Sequence, residues 1–178
     1  MLLSTTRRYS GRIIHVDADR VQFPDGSEGT LEMIRHPGAS AVVPMLDSPT
    51  DPDPRVLLIR QFRHAANDFI WEIPAGTLDA GEDPAECACR ELAEEAGCSA
   101  RRIEHLSTVF TTPGFTDEQI HLYLATELER GETRPEQDEF LSVHEWRWSE
   151  IGRMIRRGEI RDAKSLCALF YVQSFRRA

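Results

Sequence analysis

The sequence predicts an α/β/α sandwich with a mixed sheet, preceded by a separate β extension. Three observations carry this: apolar, β-branched runs lie on both sides of one well-punctuated helix at 84–96, turn residues separate them, and the chain closes with helical periodicity. At 178 residues the chain suits a single core, with 1–36 read as the extension and 37–178 as the main domain.

Residues 7–16 and 20–23 alternate in the manner of a β hairpin, and Pro24-Asp25-Gly26 marks a turn before a strand at 30–35. This region is either an additional sheet packed on the domain or a dimerising arm. Residues 39–46 and 55–60 read as buried strands, joined by the proline-rich DSPTDPDP, which is expected to be a mobile loop. A short strand at 69–73 is broken by Pro74 and Gly76. Arg60 and Arg63 stand near the end of the preceding strand, where a guanidinium either clamps a phosphate bidentately or forms a surface ion pair.

The helix at 84–96 is bounded by Asp83 as N-cap, Pro84 at its first position and Gly97 where a left-handed residue would end it. At about 100° per residue, Ala85, Ala88, Cys89, Leu92 and Ala96 form one apolar stripe with Glu91 and Glu95 along its edge. Glu94 points further out and Glu86 lies well away. Two carboxylates four apart repel unless something positive sits between them. A bare pair of this kind is usually a solvated acidic face; a divalent cation is the other answer.

Beyond the helix, strands at 103–111 and 119–126 flank the turn-rich TTPGFTDEQ, and the polar ERGETRPEQD precedes a last strand at 141–148. Ser149 is expected to cap a helix reaching about 157, ended by Gly158. A final helix at 162–176 turns Leu166, Leu169, Phe170 and residues 172–175 mostly toward the core.

A net charge of −9 argues against a general nucleic-acid binder, and no apolar run approaches the ~18 residues that read as a membrane span. The N-terminus lacks the apolar core of a secretory signal. Cys87, Cys89, Cys98 and Cys167 read as reduced, buried or half-buried thiols, which points to the cytoplasm.

Gly76, Glu82, Arg90, Glu91, Leu92, Glu94, Glu95, Gly97 and Cys98 follow the pattern G-x5-E-x7-R-E-U-x-E-E-x-G-U, with U apolar. This resembles the Nudix box of Nudix hydrolases at every specified position, with Cys98 the one soft match. The resemblance implies a loop, helix and loop that hold Mg²⁺ or Mn²⁺ against a diphosphate. It implies Glu91 and Glu95 as main metal ligands, Glu94 and Glu82 as lesser ones, the Ala75 carbonyl as a further ligand, and Arg90 as an orienting ion partner.

RQFR before the box, EIPAG at its opening and Pro113 in TTPGFTDEQ, 15 residues beyond Cys98, make the chain similar to the ADP-ribose pyrophosphatase branch. That branch implies a homodimer whose exchanged N-terminal strands help build the adenosine pocket. Arg12, Ile13 and Glu32 would reach the nucleotide, with Arg63, Thr112 and Pro113 also on the substrate. A pyrophosphate's phosphorus is shielded by negative oxygens, so attack by water needs cations that neutralise the developing charge. The base that activates the water comes, in that branch, from a loop before the last strand. Glu139 has the best-matching spacing, with Glu136 second. The expected products are AMP and ribose 5-phosphate. The alternatives are another nucleoside diphosphate sugar, an oxidised nucleoside diphosphate, or a sensor that binds ADP-ribose without cleaving it.

Overall fold

The computed structural model describes residues 1–134 and 140–175. Among the described residues ten strands form three sheets, and three α-helices pack around them. The central sheet has the order β7-β4-β9-β8, built from β7 (Ala75–Thr77), β4 (Ala39–Pro44), β9 (Gln119–Arg130) and β8 (Cys98–Phe110). It is mixed, because β4 runs parallel to β9 while the other pairs are antiparallel. A second, antiparallel sheet places β5 (Arg55–Arg63) between β10 (Leu141–Arg147) and β6 (Asp68–Glu72). α1 (Pro84–Ala96) lies against both sheets, and α3 (Ala163–Phe175) packs on β4, β8 and β9. β4, ASAVVP, is buried along its whole length, as befits a strand covered on both faces, and its one polar side chain, Ser40, donates to the Pro84 carbonyl at 2.7 Å.

β1 (Leu2–Ser10), β2 (His15–Gln22) and β3 (Glu28–Arg35) make a separate antiparallel sheet at the N-terminus. The hairpin differs from the expectation: its first strand begins at Leu2, and its turn falls at 11–14, inside the stretch read as one strand. Gly11 permits this, since its N–H donates to the Ile14 carbonyl at 2.9 Å. The second turn falls at Pro24-Asp25-Gly26, with Gly26 at φ 87°.

Asp83 accepts a hydrogen bond from the Ala85 N–H at 2.8 Å, and Gly97 ends α1 at φ 61°. The buried face of α1 is shifted from the expected stripe, because Cys87 is buried and Cys89 is exposed. The thiol of Cys87 lies 3.6 Å from the Gly76 carbonyl and 3.8 Å from that of Thr77, so β7 covers the helix on its glutamate side. Cys98 is buried and Cys167 exposed, and all four cysteines are free thiols.

The 47–54 segment, expected to be mobile, is tied down at both ends. Asp47 pairs with Arg55 at 2.7 Å, and Asp53 accepts from the N–H and hydroxyl of Ser149 at 2.8 and 3.0 Å. Asp53 thereby accepts from the first turn of α2 (Trp148–Arg156), whose N-cap is Arg147, two residues before the Ser149 expected in that role. On α3, Leu169 and Val172 are buried but Phe170 and Phe175 are more than half exposed, so its core face is narrower than the sequence implied. No helix among the described residues is long and apolar enough to cross a membrane.

Candidate active site

The glutamates of α1 lie where the helix meets the turn leading into β7. Glu91 is 6% exposed and Glu95 fully buried, whereas Glu94 is half-exposed and Glu86 faces solvent. Buried carboxylates are costly unless matched by charge or hydrogen bonds. Glu95 accepts a hydrogen bond from the Ala75 N–H at 2.8 Å. Glu91 presses against Gly76, where an added Cβ would fall 1.8 Å from its Oε1. Only glycine at 76 lets the carboxylate lie this close to the backbone.

Arg90 lies among the remaining acids. Its guanidinium donates to Glu82 at 2.9 and 3.0 Å, to Glu91 at 2.5 Å, to Glu94 at 3.1 Å and to the Thr77 carbonyl at 3.1 Å. One planar fork thus fixes the loop before α1 to the middle of the helix. Its hydrogen bonds hold the Glu82 carboxyl at about 2, and Glu82 in turn leads the groups that raise Arg90. The burial of the Cys87 thiol pushes it up to about 11.

Arg63 points its fork at Glu72, with two contacts of 2.8 Å. Glu72 is 1% exposed and also accepts from Lys164 at 2.5 Å, which itself pairs with Asp162 at 3.0 Å. Burial alone would raise the Glu72 carboxyl, but Arg63 and Lys164 outweigh it and hold it below the usual range. Ser165 joins this network: it donates to Asp162 at 2.6 Å and accepts from the Ile73 N–H at 2.8 Å. α3 therefore grips the strand that enters Pro74 and Ala75. Glu72 went unweighed in the sequence, although a charged residue within the apolar FIWEIP was the available signal. Arg60 does not join this cluster; it lies 5.6 Å from the Phe69 ring and 5.9 Å from Trp71.

Thr112 and Pro113 are exposed in the turn between β8 and β9, where the Thr112 carbonyl accepts from the N–H groups of Phe115 and Thr116, each at 3.1 Å. Arg12, Ile13 and Glu32 are exposed on the N-terminal sheet, Glu32 in β3 opposite Ala18. Glu136 and Glu139 lie outside the described residues. The flanks of their segment are anchored: the Arg134 N–H donates to the Glu94 carbonyl at 2.8 Å, and the Phe140 carbonyl accepts from the Phe62 N–H at 3.0 Å.

Among the described residues no three His, Cys, Asp or Glu side chains form a complete metal cage. The all-oxygen donor set of Glu91 and Glu95 nevertheless suits a hard divalent ion, since Mg²⁺ commonly takes one or two carboxylates and completes its shell with water and substrate phosphate. Such an arrangement suits hydrolysis of a phosphate anhydride.

Residues 35–169 match the model of the NUDIX domain. The chain is 36% identical to the ADP-ribose pyrophosphatase of Bacillus subtilis (strain 168) over 167 residues, 93% of this chain and 88% of that one. It is also 36% identical to the methanol dehydrogenase activator of Bacillus methanolicus over 173 residues, covering 96% and 91% of the two chains. A crystal structure of an ADP compounds hydrolase superposes with a TM-score of 0.82 at 21% identity, covering 98% of this chain and 92% of that one.

Proposed function

Because the chain belongs to the Nudix family, we propose that it hydrolyses the pyrophosphate bond of ADP-ribose, releasing AMP and ribose 5-phosphate. The observation that carries this reading is the buried Glu91 and Glu95 pair, set against Gly76 and Ala75 and flanked by Arg90. The name of the similar Bacillus subtilis enzyme selects ADP-ribose among diphosphates. Glu91 and Glu95 would hold Mg²⁺ or Mn²⁺, with Glu94, Glu82 and the Ala75 carbonyl as further oxygen donors, and the bound ion would supply positive charge against the phosphoryl oxygens.

The chain's own residues do the rest. Arg90 keeps Glu82, Glu91 and Glu94 in register. Arg63, whose Nε and Nη2 are held by Glu72, offers its remaining Nη1 edge to the terminal phosphate. Thr112 and Pro113 border the ribose, and Arg12, Ile13 and Glu32 contact the nucleoside. Glu139 takes the proton from the attacking water, with Glu136 as the second candidate; residues 134 and 140, on either side of that segment, are anchored beside α1 and β5. The functional unit is a homodimer in which 1–36 serves the partner's site and 37–178 forms the hydrolase domain. The four free thiols favour a reducing compartment, the cytoplasm.

A panel of ADP-ribose, GDP-mannose, ADP-glucose and oxidised nucleoside diphosphates, assayed with Mg²⁺ for nucleoside monophosphate, tests this reading. The highest kcat/KM is expected for ADP-ribose. A different winner replaces the substrate, and ADP-ribose binding without turnover replaces the enzyme with a sensor. With Glu139 as base, Glu139→Gln lowers kcat by roughly 10²–10⁴; a loss below tenfold transfers the role to Glu136 or to a metal-bound hydroxide without a protein base.

A further inference from the structure

The joins between the N-terminal sheet and the core gather at the end of β3, around Arg35. Its guanidinium presents three edges, and each meets a carboxylate. Nε donates to Asp17 at 3.2 Å, Nη2 pairs with Asp19, and Nη1 donates to Asp117 at 3.1 Å. Asp17 and Asp19 belong to β2 and are 3% and 5% exposed; Asp117 belongs to the turn that carries Thr112 and Pro113. Arg7 also pairs with Asp17, and the Thr5 hydroxyl donates to Asp19 at 2.9 Å, so Arg35 alone of these groups reaches both sheet and core. Backbone bonds reinforce the join. Ile34 N–H donates to the Phe115 carbonyl at 2.7 Å, Asp117 N–H to the Ile34 carbonyl at 3.2 Å, and His36 N–H to Asp117 Oδ1 at 3.0 Å.

We propose that Arg35 and Asp117 are positioning residues: their ion pair sets the angle at which the N-terminal sheet leaves the core, and with it substrate affinity. The sheet carries Arg12, Ile13 and Glu32, so its angle decides where those side chains stand relative to any nucleotide held on α1, in the same chain or a partner. This rests on the proposed nucleotide-binding role of the sheet. Asp117 touches none of the α1 glutamates in the contacts described, so its loss acts on binding and not on the chemical step. Asp117→Asn is the mild probe, because its amide oxygen still accepts from His36 while the charge facing Arg35 is gone. Arg35→Lys is the second, since a lysine cannot present three edges at once.

The test is steady-state kinetics of both variants with ADP-ribose and Mg²⁺, together with amide hydrogen exchange. Expected are a KM raised about tenfold with kcat within twofold, and faster exchange at the Ile34 and Asp117 amides. Asp117→Glu should recover part of the affinity. Unchanged exchange overturns the clamp, and so does an unchanged KM alongside faster exchange, or a fall in kcat with KM constant. If wild-type protein does not turn over ADP-ribose, the functional reading fails, while the exchange comparison still decides the clamp.

Discussion

At Gly76 the backbone and the Glu91 carboxylate occupy space that any Cβ would need. Gly76→Ala therefore displaces either the Glu91 side chain or β7 by about an ångström, and a misplacement of that size costs on the order of 10²-fold in rate. Turnover and Mg²⁺ titration of this variant should both show the loss, with the far-UV spectrum unchanged. Glu82 gives a pH signature. Its carboxyl is depressed from 4.5 to about 2 by the hydrogen bonds from Arg90, so it stabilises the native state fully above the unfolded value. That contribution fades as pH falls from 4.5 toward 2. The stability advantage of wild type over Glu82→Gln, measured by urea midpoints, should be complete at pH 6 and shrink at pH 3. The residue pattern of the box was legible in the sequence because its spacings are local. Arg35 and Asp117 were not, because they lie 82 residues apart and only folding brings them together.

Among the elements, α1 follows its punctuation to the residue, with Asp83, Pro84 and Gly97 in the expected roles. Its buried face was misjudged because one helical stripe was assumed. The helix is covered twice: by β4, β5 and β9 over Ala88, Leu92 and Ala96, and by β7, the edge strand of the central sheet, over Cys87, Glu91 and Glu95. Periodicity cannot announce the second cover, since a three-residue strand leaves almost no signature in sequence. α3 acts as a brace for the segment that leads from β6 into β7. Ser165→Ala removes the only described acceptor of the Ile73 N–H, and an orphaned buried donor costs about 1–3 kcal/mol. Denaturant unfolding should report a loss in that range, and a drop in kcat should accompany it because Pro74 and Ala75 follow directly.

For the molecule as a whole, the N-terminal sheet leaves Leu2, Leu3, Tyr9, Ile13, Ile14 and Leu31 more than a third exposed. A single chain gains nothing from displaying so much apolar side chain on one small sheet, and association would cover it. Sedimentation at micromolar concentration should give the mass of a dimer, and removal of residues 1–10 should give monomers with weakened substrate binding. The existence of this extension was legible from alternation and the Pro24-Asp25-Gly26 turn. Its register was not, since a glycine turn at 11–14 looks much like the strand around it. The distribution of the thiols has a practical consequence. Cys87 and Cys98 are sealed inside while Cys89 and Cys167 stand open on two different helices. The native protein therefore offers two natural attachment points for fluorophores or spin labels, one on the helix that carries the glutamates and one on its brace. Changes in their separation would follow the movement of α3 against α1 without a single engineered cysteine.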